Sequence, residues 1–148
     1  MEKKRIFLSY GREPEVVNFV KWLKDELEST GFGVWLDTED IAAGSDWRAE
    51  IGKALKACSS LIAVITKKYV GSLFCKNELY VAHDKKKDVF PLIYDEDWKT
   101  ATGCDGVEYI ISAMNWTFFP GGRRDSDSLQ KLVSALSGEE STNSTGNH

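Results

Sequence analysis

The sequence predicts an α/β domain built on a five-stranded parallel sheet, and three observations carry that reading. Short β-rich apolar runs alternate with amphipathic helical patterns along the chain. Leu61-Ile62-Ala63-Val64-Ile65 is apolar without alternation, as expected of a parallel strand covered on both faces. The 148 residues, 42% hydrophobic and 28% charged, fit one domain around a single core. Strands each followed by a helix imply right-handed crossovers. At this length the common solution is the flavodoxin-like strand order 2-1-3-4-5, with helices on both faces.

The first strand is read at residues 6–8, ending at Ser9-Tyr10-Gly11. A helix follows over 14–29, where Val16, Val17, Phe19, Val20, Leu23 and Leu27 make one apolar stripe and Gly31 stops it. Residues 32–36 form the second strand, and a longer loop carrying Gly44 runs to Asp46. Asp46 is the expected N-cap of a helix with Ile51, Ala54, Leu55 and Cys58 on one face. The third strand spans 60–66, a helix 73–85 and the fourth strand 89–94. Residues 96–112 read as irregular with a short helix near their end, 114–117 as the fifth strand and 126–136 as the last helix. The domain is expected over 1–137, with 138–148, rich in Ser, Thr, Asn and Gly, as a disordered polar tail or linker.

A net charge of −4 argues against nucleic acid as a partner, because phosphate polymers are bound by Lys and Arg fields. The one dense basic run, Lys85-Lys86-Lys87, reads as a solvated helix end near the C-terminal dipole. No apolar stretch approaches the roughly 20 residues that span a bilayer, so no membrane contact is expected. Met1-Glu2-Lys3-Lys4-Arg5 leads straight into an apolar run, so no secretory leader is expected and the location is read as cytoplasmic. Cys58, Cys75 and Cys104 have no metal-like spacing and read as reduced, packed thiols.

The strand order locates a ligand site before any chemistry is considered. Chain direction reverses between strands 1 and 3, so the crevice lies at their C-terminal ends. It is bordered by residues 9–13, the loop 37–46 and the segment after Thr66. Most chemistries fail there. Gly31-Phe32-Gly33 precedes a strand and lacks a Lys-Ser/Thr ending, so it is no phosphate loop. The histidines, His83 and His148, offer neither a metal pair nor a triad, and no metal is expected. A phosphoacceptor receiver needs clustered acids after strand 1, where this chain has Ser-Tyr-Gly-Arg. One carboxylate remains: Phe74 and Glu78 are four residues apart on a helix and share a face. The pair can hold a flat cationic ring and stabilise positive charge on a sugar. Spacing alone favours the plainer alternative, a core Phe74 and a surface Glu78 paired with a lysine.

Four segments carry a resemblance. They are Arg5-Ile6-Phe7-Leu8-Ser9-Tyr10; Gly33-Val34-Trp35-Leu36-Asp37 with Ile41-Ala42-Ala43-Gly44; Ser72-Leu73-Phe74-Cys75 with Glu78-Leu79; and Phe118-Phe119-Pro120. In this order and spacing they resemble the first box, the second strand and BB loop, the Ser-x-Trp-Cys-x-x-Glu-Leu signature and the third box of TIR (Toll/interleukin-1 receptor/resistance) domains. The resemblance covers residues 5–136. TIR domains are either scaffolds that signal by assembling with other TIR domains, or enzymes that assemble and cleave NAD+ to nicotinamide and ADP-ribose or cyclic forms. For an enzyme the resemblance implies Glu78 as the catalytic residue. It implies substrate contacts at Tyr10, Gly11, Arg12, Asp37, Ala42, Gly44 and Phe74, with NAD+ as substrate and no cofactor. It also implies self-association through the BB loop, in innate immune or cell-death signalling.

The chain departs from the family pattern in three places. Phe74 replaces the usual Trp, keeping a flat ring but losing area and the indole N–H. Gly11 stands where enzymatic relatives often carry a larger or basic residue, which leaves Arg12 to meet a diphosphate. Ala43-Gly44 replaces the Pro-Gly of many scaffolds, a tilt toward the enzyme class. Among other residues, Trp22 is expected as partly buried packing, Trp35 as core, Trp47 as an anchor of the BB loop and Trp98 as a residue facing a neighbouring subunit. Asp37 serves equally well as an acceptor of backbone N–H groups within the loop.

Overall fold

The computed structural model describes residues 4–36 and 46–138, with the Trp47 side chain excepted. The strands are β1 (Arg5–Ser9), β2 (Gly33–Leu36), β3 (Ser60–Ile65), β4 (Asp88–Ile93) and β5 (Thr117–Phe118). All neighbours pair in parallel, in the order β2-β1-β3-β4-β5. The helices are α1 (Pro14–Ser29), α2 (Trp47–Ala57), α3 (Lys67–Gly71), α4 (Leu73–Asp84), α5 (Asp105–Ile111) and α6 (Ser126–Leu136).

Side-chain alternation along the strands sorts the core into two layers. Ile6, Leu8, Ile62, Val64 and Leu92 point to the layer shared with α1 and α6. Phe7, Leu61, Ala63, Ile65 and Ile93 point to the layer under α2 to α5. All six residues of β3 are buried, which explains its unbroken apolar run. Ser9 shares the parity of Phe7 and so faces α4.

Helix ends follow local chemistry. Asp46 accepts from the N–H groups of Arg48 and Ala49, capping α2. Thr66 accepts from Tyr69 N–H, and Ser72 from Cys75 N–H, starting α3 and α4. Beyond α1, Gly31 takes φ +104°, a left-handed value that a side chain would strain.

Several expectations are corrected. The segment after β3 contains α3, a five-residue helix whose single turn leaves too little periodicity to read. The fifth strand is two residues, Thr117–Phe118, rather than 114–117. Met114 N–H closes a turn onto Ile111, and the Trp116 indole N–H donates back to the Ile111 carbonyl at 2.8 Å, so this stretch finishes α5 instead of extending the sheet. Trp35 is half-buried on the edge strand, stacked on Phe7 with centroids 4.9 Å apart. Trp98 faces inward, 1% exposed, because its turn packs against Trp116.

The three cysteines are buried and form no disulfide with one another. Burial pushes the Cys58 thiol up to about 11, so it is inert at neutral pH. Lys67 holds the Asp97 carboxyl below its ordinary 3.8, chiefly by a hydrogen bond. The Ser128 backbone N–H does the same for Asp125, the cap of α6. Both groups contribute stability above pH 3.8 that is lost as pH falls through their depressed values. Urea midpoints are expected to fall below that pH, and less steeply in Asp125→Asn; parallel curves for the two proteins would contradict this.

Candidate functional site

One cleft opens where β1 and β3 end, and a second runs between two neighbouring helices. The first, about 450 Å³, is lined by Tyr10, Gly11, Arg12 and Glu13 after β1, and by Lys68, Gly71, Ser72, Phe74 and Cys75 after β3. The second, about 540 Å³, lies between α2 and α4, lined by Arg48, Ile51, Leu55, Leu73, Phe74, Asn77, Glu78 and Val81 among others. Phe74 borders both. The first cleft lies at the crevice expected from strand order; Glu78 lines the second, across the Phe74 ring.

The first cleft carries positive charge. The Arg12 guanidinium lies 5.8 Å from the Tyr10 ring centroid and 5.6 Å from that of Phe74, within cation–π range of both. Tyr10 is buried and forms part of the cleft's base, while its carbonyl accepts a long bond from the Cys75 thiol at 3.6 Å. Gly11 is spacing made visible: a Cβ there would stand 2.5 Å from Glu13 Oε1, so the bare backbone lets that carboxylate fold over it. Lys68 is a second cation on this cleft, which motif reading missed.

The second cleft carries the carboxylate. On α4, Cys75, Glu78, Leu79 and Ala82 form the buried stripe at helical spacing. Glu78 occupies a core position and is 3% exposed, so the alternative of a surface acid paired with a lysine is ruled out. Its Oε1 accepts from Ser9 Oγ at 2.7 Å, and Ser9 Oγ lies 2.8 Å from the Tyr69 hydroxyl. Ser9 and Tyr69 are themselves wholly buried. Burial pushes the Tyr69 phenol well above its ordinary range, with Cys75 and Glu78 adding to the shift, so it stays protonated. Sequence reasoning missed both hydroxyls, although strand parity placed Ser9 beneath α4.

Of the residues expected to meet a ligand, Tyr10, Gly11, Arg12 and Phe74 line the first cleft, and Phe74 and Glu78 the second. Asp37, Ala42 and Gly44 lie outside the described residues, as does the Trp47 side chain. Cys104, Asp105 and Glu108 are the one group of metal-type ligands that converges among the described residues. None lines either cleft, and Lys99 already pairs with Glu108 at 3.6 Å. No described helix is long and apolar enough to cross a membrane.

A family model described as TIR domain matches residues 6–133. The chain belongs to the TIR domain family. The TIR domain of the Toll-related receptor TRR-2 from Hydra magnipapillata superposes with a TM-score of 0.68 at 18% identity, covering 89% of this chain and 97% of that one. The TIR domains of the activated Roq1 resistosome, which recognises the pathogen effector XopQ, give 0.59 at 20% identity, covering 99% and 92%. These likenesses establish the fold. A Brachypodium distachyon protein named "Probable 2′ cyclic ADP-D-ribose synthase BdTIR" is 29% identical over 73 residues. That match takes in 49% of this chain and 33% of the relative's length.

Proposed function

We propose that this TIR domain cleaves NAD+ at the nicotinamide–ribose bond, with Glu78 as the catalytic residue. The observation that carries the reading is a buried carboxylate on the wall of an open groove, separated by one aromatic ring from a cleft bearing two cations. A relative whose name specifies a cyclic ADP-ribose product supports it.

The chemistry suits a single carboxylate. Nicotinamide in NAD+ is a pyridinium cation. When its bond to the ribose C1′ breaks, the electron pair stays on the ring nitrogen and neutral nicotinamide leaves. No general acid is needed, unlike ordinary glycosidases with their two carboxylates. Positive charge develops on the ribose, and Glu78 stabilises it through the ribose hydroxyls or by direct electrostatics. Water attacking C1′ and losing a proton gives ADP-ribose; attack by a hydroxyl of the same molecule gives a cyclic isomer. NAD+ is substrate, and no cofactor enters. Arg12 and Lys68 suit the diphosphate, and Phe74 the pyridinium or ribose face. Tyr10, Gly11, Asp37, Ala42 and Gly44 complete the proposed contacts.

Self-association through the BB loop completes the site, in a cytoplasmic signalling role in innate immunity or cell death. Nicotinamide release per molecule is therefore expected to rise with protein concentration. Turnover strictly proportional to concentration across the assembly range would remove the assembly step from the account. The second reading is a TIR scaffold without activity, favoured by Leu73 and Val81, which expose 69% and 37% of their surface along the second cleft. Assembly with no nicotinamide release at any concentration would select it.

Phe74→Trp is expected to lower KM about threefold by enlarging the stacking face, and Phe74→Ala to raise it about tenfold. Steady-state kinetics check both; equal KM values across the series would place Phe74 outside the substrate site.

A further inference from the structure

We propose that Tyr69 and Ser9 form a buried hydroxyl relay that keeps Glu78 ionised and aimed, making both of them positioning residues for the reaction. The inference rests on the reading of Glu78 as the catalytic group, but its geometry is independent of that reading.

Hydrogen counting sets the direction. Ser9 has one hydroxyl hydrogen and donates it to Glu78 Oε1 at 2.7 Å. The contact of 2.8 Å between Ser9 Oγ and the Tyr69 hydroxyl must then be donated by Tyr69. A phenol that burial keeps protonated is always able to donate, so the chain runs Tyr69 to Ser9 to Glu78 and ends on an acceptor. An ionised carboxylate offers only acceptors, so a relay ending this way stabilises the charged form. The donors also reinforce each other in a site with little water.

Three elements fix the relay. β1 supplies Ser9 at the position whose parity faces α4. The Thr66 cap starts α3 and turns Tyr69 inward, 0% exposed. α4 supplies Glu78 on its buried stripe. Other titratable or charged groups facing this network are Cys75 and Tyr80 of α4, which act on Tyr69, and Arg48 of α2, which lines the cleft with Glu78.

The test titrates Glu78 directly, by carbon NMR of the full chain with labelled glutamate carboxyls and Glu78→Gln to assign the signal. Ser9→Ala is expected to raise the midpoint by about one unit. Tyr69→Phe, which keeps the ring and removes only the hydroxyl, is expected to raise it by about 0.3 unit. With NAD+, Ser9→Ala is expected to move the acid limb of kcat to higher pH and lower kcat about tenfold, with KM little changed. A merely structural role would lower the melting temperature without moving either titration. Midpoints unchanged in both variants overturn the relay, whether or not the wild type cleaves NAD+. If the midpoints move but the wild type releases no nicotinamide, the relay stands and the catalytic reading falls. If Ser9→Ala does not fold, Tyr69→Phe decides alone: an unmoved midpoint and pH profile overturn the proposal.

Discussion

Glu78→Ala is expected to lower nicotinamide release about a thousandfold without unfolding the domain. A carboxylate that stabilises oxocarbenium charge acts most strongly in the transition state, so kcat falls rather than binding. Stability is expected to fall by about 1–3 kcal/mol, because the buried Ser9 hydrogen loses its acceptor at Glu78 Oε1. That loss is too small to account for a thousandfold drop in activity. Glu78→Gln separates shape from charge, since its amide oxygen can still accept from Ser9. Activity retained in Glu78→Gln would assign the residue a hydrogen-bonding role without charge. Activity lost only in proportion to the fraction of Glu78→Ala that is unfolded would make Glu78 a structural residue.

Trp98→Ala is expected to cost about 4 kcal/mol, the range for deleting a fully buried large aromatic. For a domain of this size that lowers the melting temperature by roughly 12 °C. Trp98 packs edge-on against Trp116 with centroids 5.9 Å apart, and Lys99 Nζ lies 5.7 Å from one ring and 5.6 Å from the other. The cluster pins the segment between β4 and β5, where regular structure is sparse. Thermal melts check this against the expectation that Trp98 faces a neighbouring subunit. A changed association constant with an unchanged melting temperature would restore that subunit role and contradict the packing.

The architecture was legible because periodicity is a physical record of burial. The unbroken apolar run of 61–65 declared a doubly covered strand, and Gly31 marked the end of α1 through its backbone freedom. The fifth strand was not legible, since two paired residues leave no alternation to count. At the site, topology located the crevice and motif spacing singled out Glu78, but spacing alone treated it as a surface acid. Its place between Cys75 and Ala82 on the α4 stripe was the missed signal, because a carboxylate on an apolar face is a buried carboxylate. Tyr69 was hidden further: its partner Ser9 is 60 residues away in sequence, and only the parallel pairing of β1 with β3 brings them together.

The most direct test of the account is proton NMR of concentrated wild-type protein with NAD+, where free nicotinamide and the bound pyridinium are resolved without coupling enzymes. The account predicts nicotinamide accumulating together with ADP-ribose or its cyclic isomer, at a rate that Glu78→Ala abolishes. Intact NAD+ after prolonged incubation with the assembled wild type, or equal release by the two proteins, would contradict it.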